Sequence, residues 1–167
     1  MQKTSDIKHY TIPVFIPELA CPFQCVFCNQ RKITGKQLVP DDDEIIQTIE
    51  SHLQTFKEKE RKVEIGFFGG SFTGILIQQQ QHYLELVQPY FEKGDIQGIR
   101  LSTRPDYINS GVLKLLKAMN VSTIELGAQS FDEEVLKRSF RGHTAKQTTE
   151  TAKQILDHGF DLGLQMM

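Results

Sequence analysis

No stretch of the sequence approaches the ~20 consecutive apolar residues that a membrane helix requires, so no membrane-spanning segment is expected. The opening residues, MQKTSDIKHY, lack the apolar core of a secretory signal, which makes the reducing cytoplasm the expected compartment and disulfides unexpected. Neither sign of charge dominates: Lys plus Arg is 19 against 21 for Asp plus Glu, and the net charge of −2 gives no general pull toward nucleic acid, although a local basic patch stays open. Linkers, internal repeats and low-complexity segments are missing as well. Cysteine is scarce, with three residues in 167, yet Cys21, Cys25 and Cys28 fall within one short stretch. An odd, clustered set of thiols in such a chain argues for metal or cluster ligation rather than for a disulfide framework. The remaining composition, 39% hydrophobic and 24% charged, is that of one ordinary globular domain.

Short β-branched or aromatic runs alternate with longer segments of helical period, the pattern of a parallel sheet covered by helices. Strands are predicted at roughly Tyr10 to Ile16, Lys62 to Phe68, Gly98 to Thr103, Ser122 to Ala128 and Phe160 to Met166. Asp41 is suited to cap a helix whose inward stripe is Ile45, Ile46, Ile49, Leu53 and Phe56, with Glu44 at the reciprocal position. Thr144 and Gln147 form a second capping box, and Gly159 suits the left-handed stop after Ile155 and Leu156. Helices are also expected at Gln78 to Tyr90, Ser110 to Met119 and Asp132 to Arg138.

Three of the strands depart from the apolar-on-both-faces rule for parallel sheets. Ile99 and Leu101 alternate with Arg100, Ser102 and Arg104; Ile124, Leu126 and Ala128 with Glu125, Gly127 and Gln129; and Leu162, Leu164 and Met166 with Asp161, Gly163 and Gln165. If the apolar set faces the helices, the polar or small set lines a shared interior, as in a barrel able to hold a ligand; polar residues at an exposed sheet edge are the alternative. The chain stops at Gln165, Met166 and Met167, directly after a strand and without a covering helix. The expectation is therefore a piece of a longer protein, or a partner or second copy that covers this edge.

The run Ala20-Cys21-Pro22-Phe23-Gln24-Cys25-Val26-Phe27-Cys28-Asn29 follows the first strand, where an α/β barrel places its chemistry, at the C-terminal mouth. The spacing CxxxCxxC brings three soft thiolates onto one loop, suited to an iron–sulfur cluster or to zinc. Three ligands leave either site one short, and His9 and His52 lie too far along the chain to be local fourth ligands. On a four-iron cluster the missing ligand leaves one iron open to a small chelating molecule. A zinc-stabilised, non-catalytic binding module, its site completed by a distant residue, is the second reading.

The spacing, with aromatic Phe27 before the last cysteine, resembles the defining motif of the radical S-adenosylmethionine (SAM) superfamily. Phe68-Gly69-Gly70-Ser71 resembles the superfamily's GGE-type turn, with Ser71 in place of the acidic residue as in the branch of the elongator catalytic subunit. Ser102-Thr103-Arg104-Pro105-Asp106-Tyr107 and Glu125-Leu126-Gly127-Ala128-Gln129-Ser130-Phe131 are similar to the same branch. Arg141, in Arg141-Gly142-His143-Thr144, is similar to an arginine of the oxygen-independent coproporphyrinogen oxidase type.

The resemblance implies an α/β fold, a partial (β/α)6 TIM-like barrel truncated after about the fifth strand, with residues 1–167 as the N-terminal part of a single core domain. It implies a 4Fe-4S cluster on Cys21, Cys25 and Cys28 with S-adenosylmethionine at the open iron, reductively cleaved to a 5′-deoxyadenosyl radical. Phe27 would pack near the adenine, the backbone of Gly69, Gly70 and Ser71 would meet the methionine amino group, and Ser102 or Thr103 would lie near the cofactor. Gln129 would approach the ribose, and Arg141 the carboxylate. The residues themselves leave two points open: the glycine-rich turn also serves tight packing, and Arg141 and His143 also suit a surface salt bridge and a solvated helix entry. The implied partners are an external electron donor and a substrate of unknown class, transfer RNA or a small molecule. Without the remainder of the barrel, this stretch alone is compatible with a folded but inactive piece.

Overall fold

A computed structural model describes residues 7–16, 25–28, 39–58 and 60–167. Five parallel strands form one sheet in the order of the sequence: β1 (Lys8–Ile16), β2 (Arg61–Gly69), β3 (Gly98–Thr103), β4 (Val121–Gln129) and β5 (Asp161–Met166). An unbroken sequential order has no switch point like that of a doubly wound sheet, and it is the order of a barrel wall. The helices are α1 (Asp42–Thr55), α2 (Ile77–Glu92), α3 (Ser110–Ala118), α4 (Glu133–Arg138) and α5 (Ala145–Asp157). Short 3-10 turns follow β2 and β3 at Phe72–Gly74 and Pro105–Tyr107. Among the described residues, no helix is long and apolar enough to cross a membrane.

Local chemistry sets the helix starts. The Asp41 carboxylate accepts from the Glu44 amide at 2.8 Å, and Asp42, Asp43 and Glu44 complement the positive end of the α1 dipole. Asn109 and Asp132 cap α3 and α4 in the same way. Thr144 and Gln147 form the expected reciprocal box on α5, and Gly159 adopts a φ of 74° after it.

Strand alternation assigns the two faces of the sheet. Ile12, Val14, Ile65, Phe67, Ile99, Leu101, Ile124 and Leu126 bury their side chains in one core with Ile45 and Ile49 of α1, Leu84 and Val87 of α2, Leu113 and Leu116 of α3 and Ile155 of α5. Burying each such side chain contributes about 1.5–3 kcal/mol, so this layer holds the sheet to its helices. On β5 only Leu162 joins that packing, while Leu164 and Met166 are exposed at the sheet edge.

The opposite face is polar in its middle. Arg100 bridges Glu64 of β2 and Glu125 of β4, with Nε and Nη1 each 3.1 Å from a carboxylate oxygen. Gln165 of β5 donates to Glu125 at 2.9 Å and to the Ser102 hydroxyl at 3.1 Å. This cross-strand band places Glu64, Arg100, Ser102 and Glu125 on one shared surface, which Gln165 reaches from the exposed edge strand β5. A register shift between Ile99 and Arg100 leaves Ser122 as an extra residue on β4, so that Val121 stays opposite Ile99 and Thr123 opposite Arg100. Glycine makes room for the bulky groups of this face, since a Cβ on Gly163 would stand 3.0 Å from the Glu125 side chain.

Candidate functional site

All the motif residues that the structure describes gather at the C-terminal ends of the strands. Cys21 lies outside the described residues, whereas Cys25 and Cys28 close a turn in which the Cys28 amide donates to the Cys25 carbonyl at 2.9 Å. Cys25 is buried and Cys28 half-buried. The Val26 amide donates to the Ser139 carbonyl at 3.3 Å, tying the turn to the segment after α4. Between the cysteines, Val26 and Phe27 turn their side chains outward, with Phe27 41% exposed.

The glycine-rich turn packs against the end of β1. Gly69 has a φ of 117°, and a Cβ there would lie 2.3 Å from the Ile16 carbonyl oxygen, at the last residue of β1. Only glycine permits that approach. The Gly70 amide then donates to the same carbonyl at 3.2 Å. The packing reading of this turn holds, since it lies tight against the end of β1.

Ser71 turns inward rather than toward the mouth. Its hydroxyl lies 2.9 Å from that of Thr103 and accepts from the Arg104 amide at 3.2 Å, and Thr73 bonds the same Thr103 hydroxyl. The three buried hydroxyls pin the glycine turn to the end of β3. Ser102 and Thr103 therefore have different settings. The Ser102 hydroxyl belongs to the interior polar band through Glu125 and Gln165, whereas that of Thr103 is enclosed in the hydroxyl cluster. Gln129, the last residue of β4, adopts a φ of 67°, an uncommon conformation for a non-glycine residue and one that concentrates at functional sites.

Arg141 and His143 are both buried, at 7% and 4% exposure, which removes the surface salt bridge and the solvated helix entry as descriptions of this segment. The Arg141 guanidinium donates to Cys25 Sγ at 3.5 Å, to His143 Nε2 at 3.2 Å and to the Gly127 carbonyl. Burial, reinforced by the neighbouring Arg141 charge, holds His143 below its ordinary pKa, so the imidazole favours its neutral form. The amide end of α5 is already served: the Ala145 amide donates to the Glu133 carboxylate at 2.9 Å, and Thr144 takes the Gln147 amide.

Thr73, Glu64 and Phe140 were not among the expected site residues. Glu64 was detectable as the one acid of its strand, set between the apolar Val63 and Ile65. Thr73 and Phe140 carry no such mark, because their roles depend on contacts with Thr103 and Cys25 far along the chain.

Cys25 and Cys28, two of the three motif thiols and both soft ligands, share one tight turn beside the Arg141 guanidinium, while among the described residues no group of three metal-ligating side chains is assembled. Residues 16–167 match the model of the Radical SAM superfamily. The chain belongs to the radical SAM superfamily.

Two curated relatives and one solved structure are similar to this chain. The chain is 26% identical over 144 residues to the heme chaperone HemW of Lactococcus lactis subsp. lactis, covering 84% of this chain and 36% of that one. It is 20% identical over 186 residues to the tRNA uridine(34) acetyltransferase of Dehalococcoides mccartyi, covering 93% of this chain and 40% of the relative. The chain thus spans about two fifths or less of these proteins' lengths. The structure of Elp3 from Methanocaldococcus infernus superposes with a TM-score of 0.71 at 18% identity, over 96% of this chain and 38% of that one, a likeness of fold.

Proposed function

We propose that the protein binds a 4Fe-4S cluster through Cys21, Cys25 and Cys28, with S-adenosylmethionine at the iron that lacks a cysteine, and is a radical SAM enzyme. The observation that carries this reading is the Cys25–Cys28 turn, joined through Arg141 to the mouth end of β4 in a chain whose residues 16–167 match the superfamily. Cys21, Cys25 and Cys28 would hold the cluster, which when bound and reduced would supply the electron for reductive cleavage of S-adenosylmethionine.

The chain's own residues prepare the site in distinct ways. The cysteines bind as thiolates, and buried Arg141 stabilises negative charge on Cys25. The exposed ring of Phe27 offers a stacking surface for the adenine. Gly69 and Gly70 bring main chain to the mouth without side chains, suiting the methionine amino group; Ser71 and Thr103 support that turn from beneath. Gln129 is assigned to the ribose and Arg141 to the cofactor carboxylate, while Ser102 belongs to the interior surface below the mouth. The substrate enters along that interior, and an external donor supplies the electron. Transfer RNA, as in the name of the Dehalococcoides relative, and a small molecule are the two substrate classes carried forward.

Metal analysis of the full-length protein purified without oxygen tests the reading, because cysteine thiolates are open to oxidation. Iron and sulfide near four per chain are expected. One zinc without sulfide would overturn the proposal in favour of a zinc-stabilised binding module.

A further inference from the structure

Arg141 occupies the meeting point of the cysteine turn, the end of β4 and the segment before α5. Three of its nitrogens are committed within the protein: Nη1 to Cys25 Sγ, Nη2 to the Gly127 carbonyl and Nε to His143 Nε2. The Arg141 carbonyl accepts from Arg104 Nη2 at 2.6 Å, and Arg104 is itself held by both oxygens of Asp106 at 2.9 Å. Gly127 makes the approach possible, since a Cβ there would stand 3.0 Å from Arg141 Nη2.

Because Arg141 Nε is always a donor, His143 Nε2 must accept, which leaves the imidazole proton on Nδ1. Nδ1 lies 3.5 Å from the Thr144 carbonyl and 3.3 Å from the Thr148 hydroxyl, so both ring nitrogens have partners. The ring thus fixes the plane of the guanidinium, and the guanidinium fixes a donor on a ligand sulfur. Contact with a cofactor carboxylate alone would not call for a donor aimed at the cysteine.

We propose that Arg141 donates a hydrogen bond to the sulfur of Cys25 in the cluster-bound protein and raises the cluster's reduction potential, with His143 as the positioning residue that aims it. The inference rests on the cluster reading above. Reduction adds negative charge to the cluster, and a buried cation bonded to a ligand sulfur stabilises the reduced form more than the oxidised one.

A redox titration followed by electron paramagnetic resonance, on anaerobically reconstituted full-length protein without S-adenosylmethionine, isolates this effect from any carboxylate contact. Arg141→Gln is expected to lower the midpoint so that the reduced-to-oxidised ratio at the wild-type midpoint potential falls about tenfold, equivalent to about 59 mV for one electron. Arg141→Lys, which keeps the charge but not the fork, is expected to shift it less and provides the reading if the Gln variant loses iron. His143→Phe should move the midpoint the same way, and His143→Gln, whose amide oxygen can accept from Nε, should recover most of the difference. In wild-type protein, transfer to heavy water should shift the iron–cysteine stretching bands in the resonance Raman spectrum.

Full iron content with an unmoved midpoint in both Arg141 variants, or bands insensitive to heavy water, overturns the role of Arg141. A wild-type protein that takes up no cluster overturns the underlying reading as well.

Discussion

The two faces of the same five strands divide the work of the molecule. On the outer face, Ile12, Ile65, Leu101, Ile124 and their neighbours are packed against helices, and stability comes from apolar area removed from water. On the inner face, Glu64, Arg100, Ser102, Glu125 and Gln165 bond across β2 to β5, and glycines leave gaps beside the bulky groups. The two-residue period of a strand lets one short segment serve both purposes, so a one-residue change of register would exchange them.

Substitutions on the two faces should separate along this line. Leu101→Ala, on the outer face, should cost about 2–5 kcal/mol in chemical denaturation, because the packed surroundings relax only partly around the cavity. Arg100→Ala, one residue earlier on the inner face, removes the cation between Glu64 and Glu125 and leaves Glu64 with Lys62 and Glu125 with Gln165. Its cost should be smaller, about 1–3 kcal/mol, since the Arg100 side chain retains 29% exposure and solvent screens the loss. Adding Glu64→Gln and Glu125→Gln to the Arg100 variant should recover most of that loss; no recovery would show that the band packs the sheet as an apolar core does.

Thr103→Val lies at the junction of the two regimes. It removes the hydroxyl shared by Ser71 and Thr73 while keeping the shape, so a loss of about 1–2 kcal/mol is expected, with the sheet intact by circular dichroism. His143 should give the smallest effect. Its folded-state pKa lies below the unfolded value, so at high pH neither state binds the proton, and below about pH 6.5 the unfolded state takes it up first. Stability should therefore fall as pH drops from about 7 toward 5, and His143→Gln should flatten that part of the profile.

What could be read from the sequence was local. The strand positions, the Asp41 and Thr144 caps and the left-handed Gly159 follow from periodicity and turn chemistry within a few neighbouring residues, and the observed elements differ from expectation by a residue or two at their ends. The alternation in β3 and β4 also indicated which residues face the interior. What was not legible depends on register and tertiary approach. The Glu64–Arg100–Glu125 band requires the offset between three strands, including the extra residue Ser122. The hydroxyl cluster joins Ser71 and Thr73 to a residue about thirty positions away, and nothing near Arg141 in the sequence announces that it is buried against Cys25.

The most direct test of the central claim is whether the full-length, anaerobically reconstituted protein forms 5′-deoxyadenosine from S-adenosylmethionine when supplied with a low-potential reductant. The predicted result is formation that depends on the reductant and disappears in Cys25→Ala and Cys28→Ala variants that still fold. Undiminished formation in those variants, or none from the iron-loaded wild type, would contradict it.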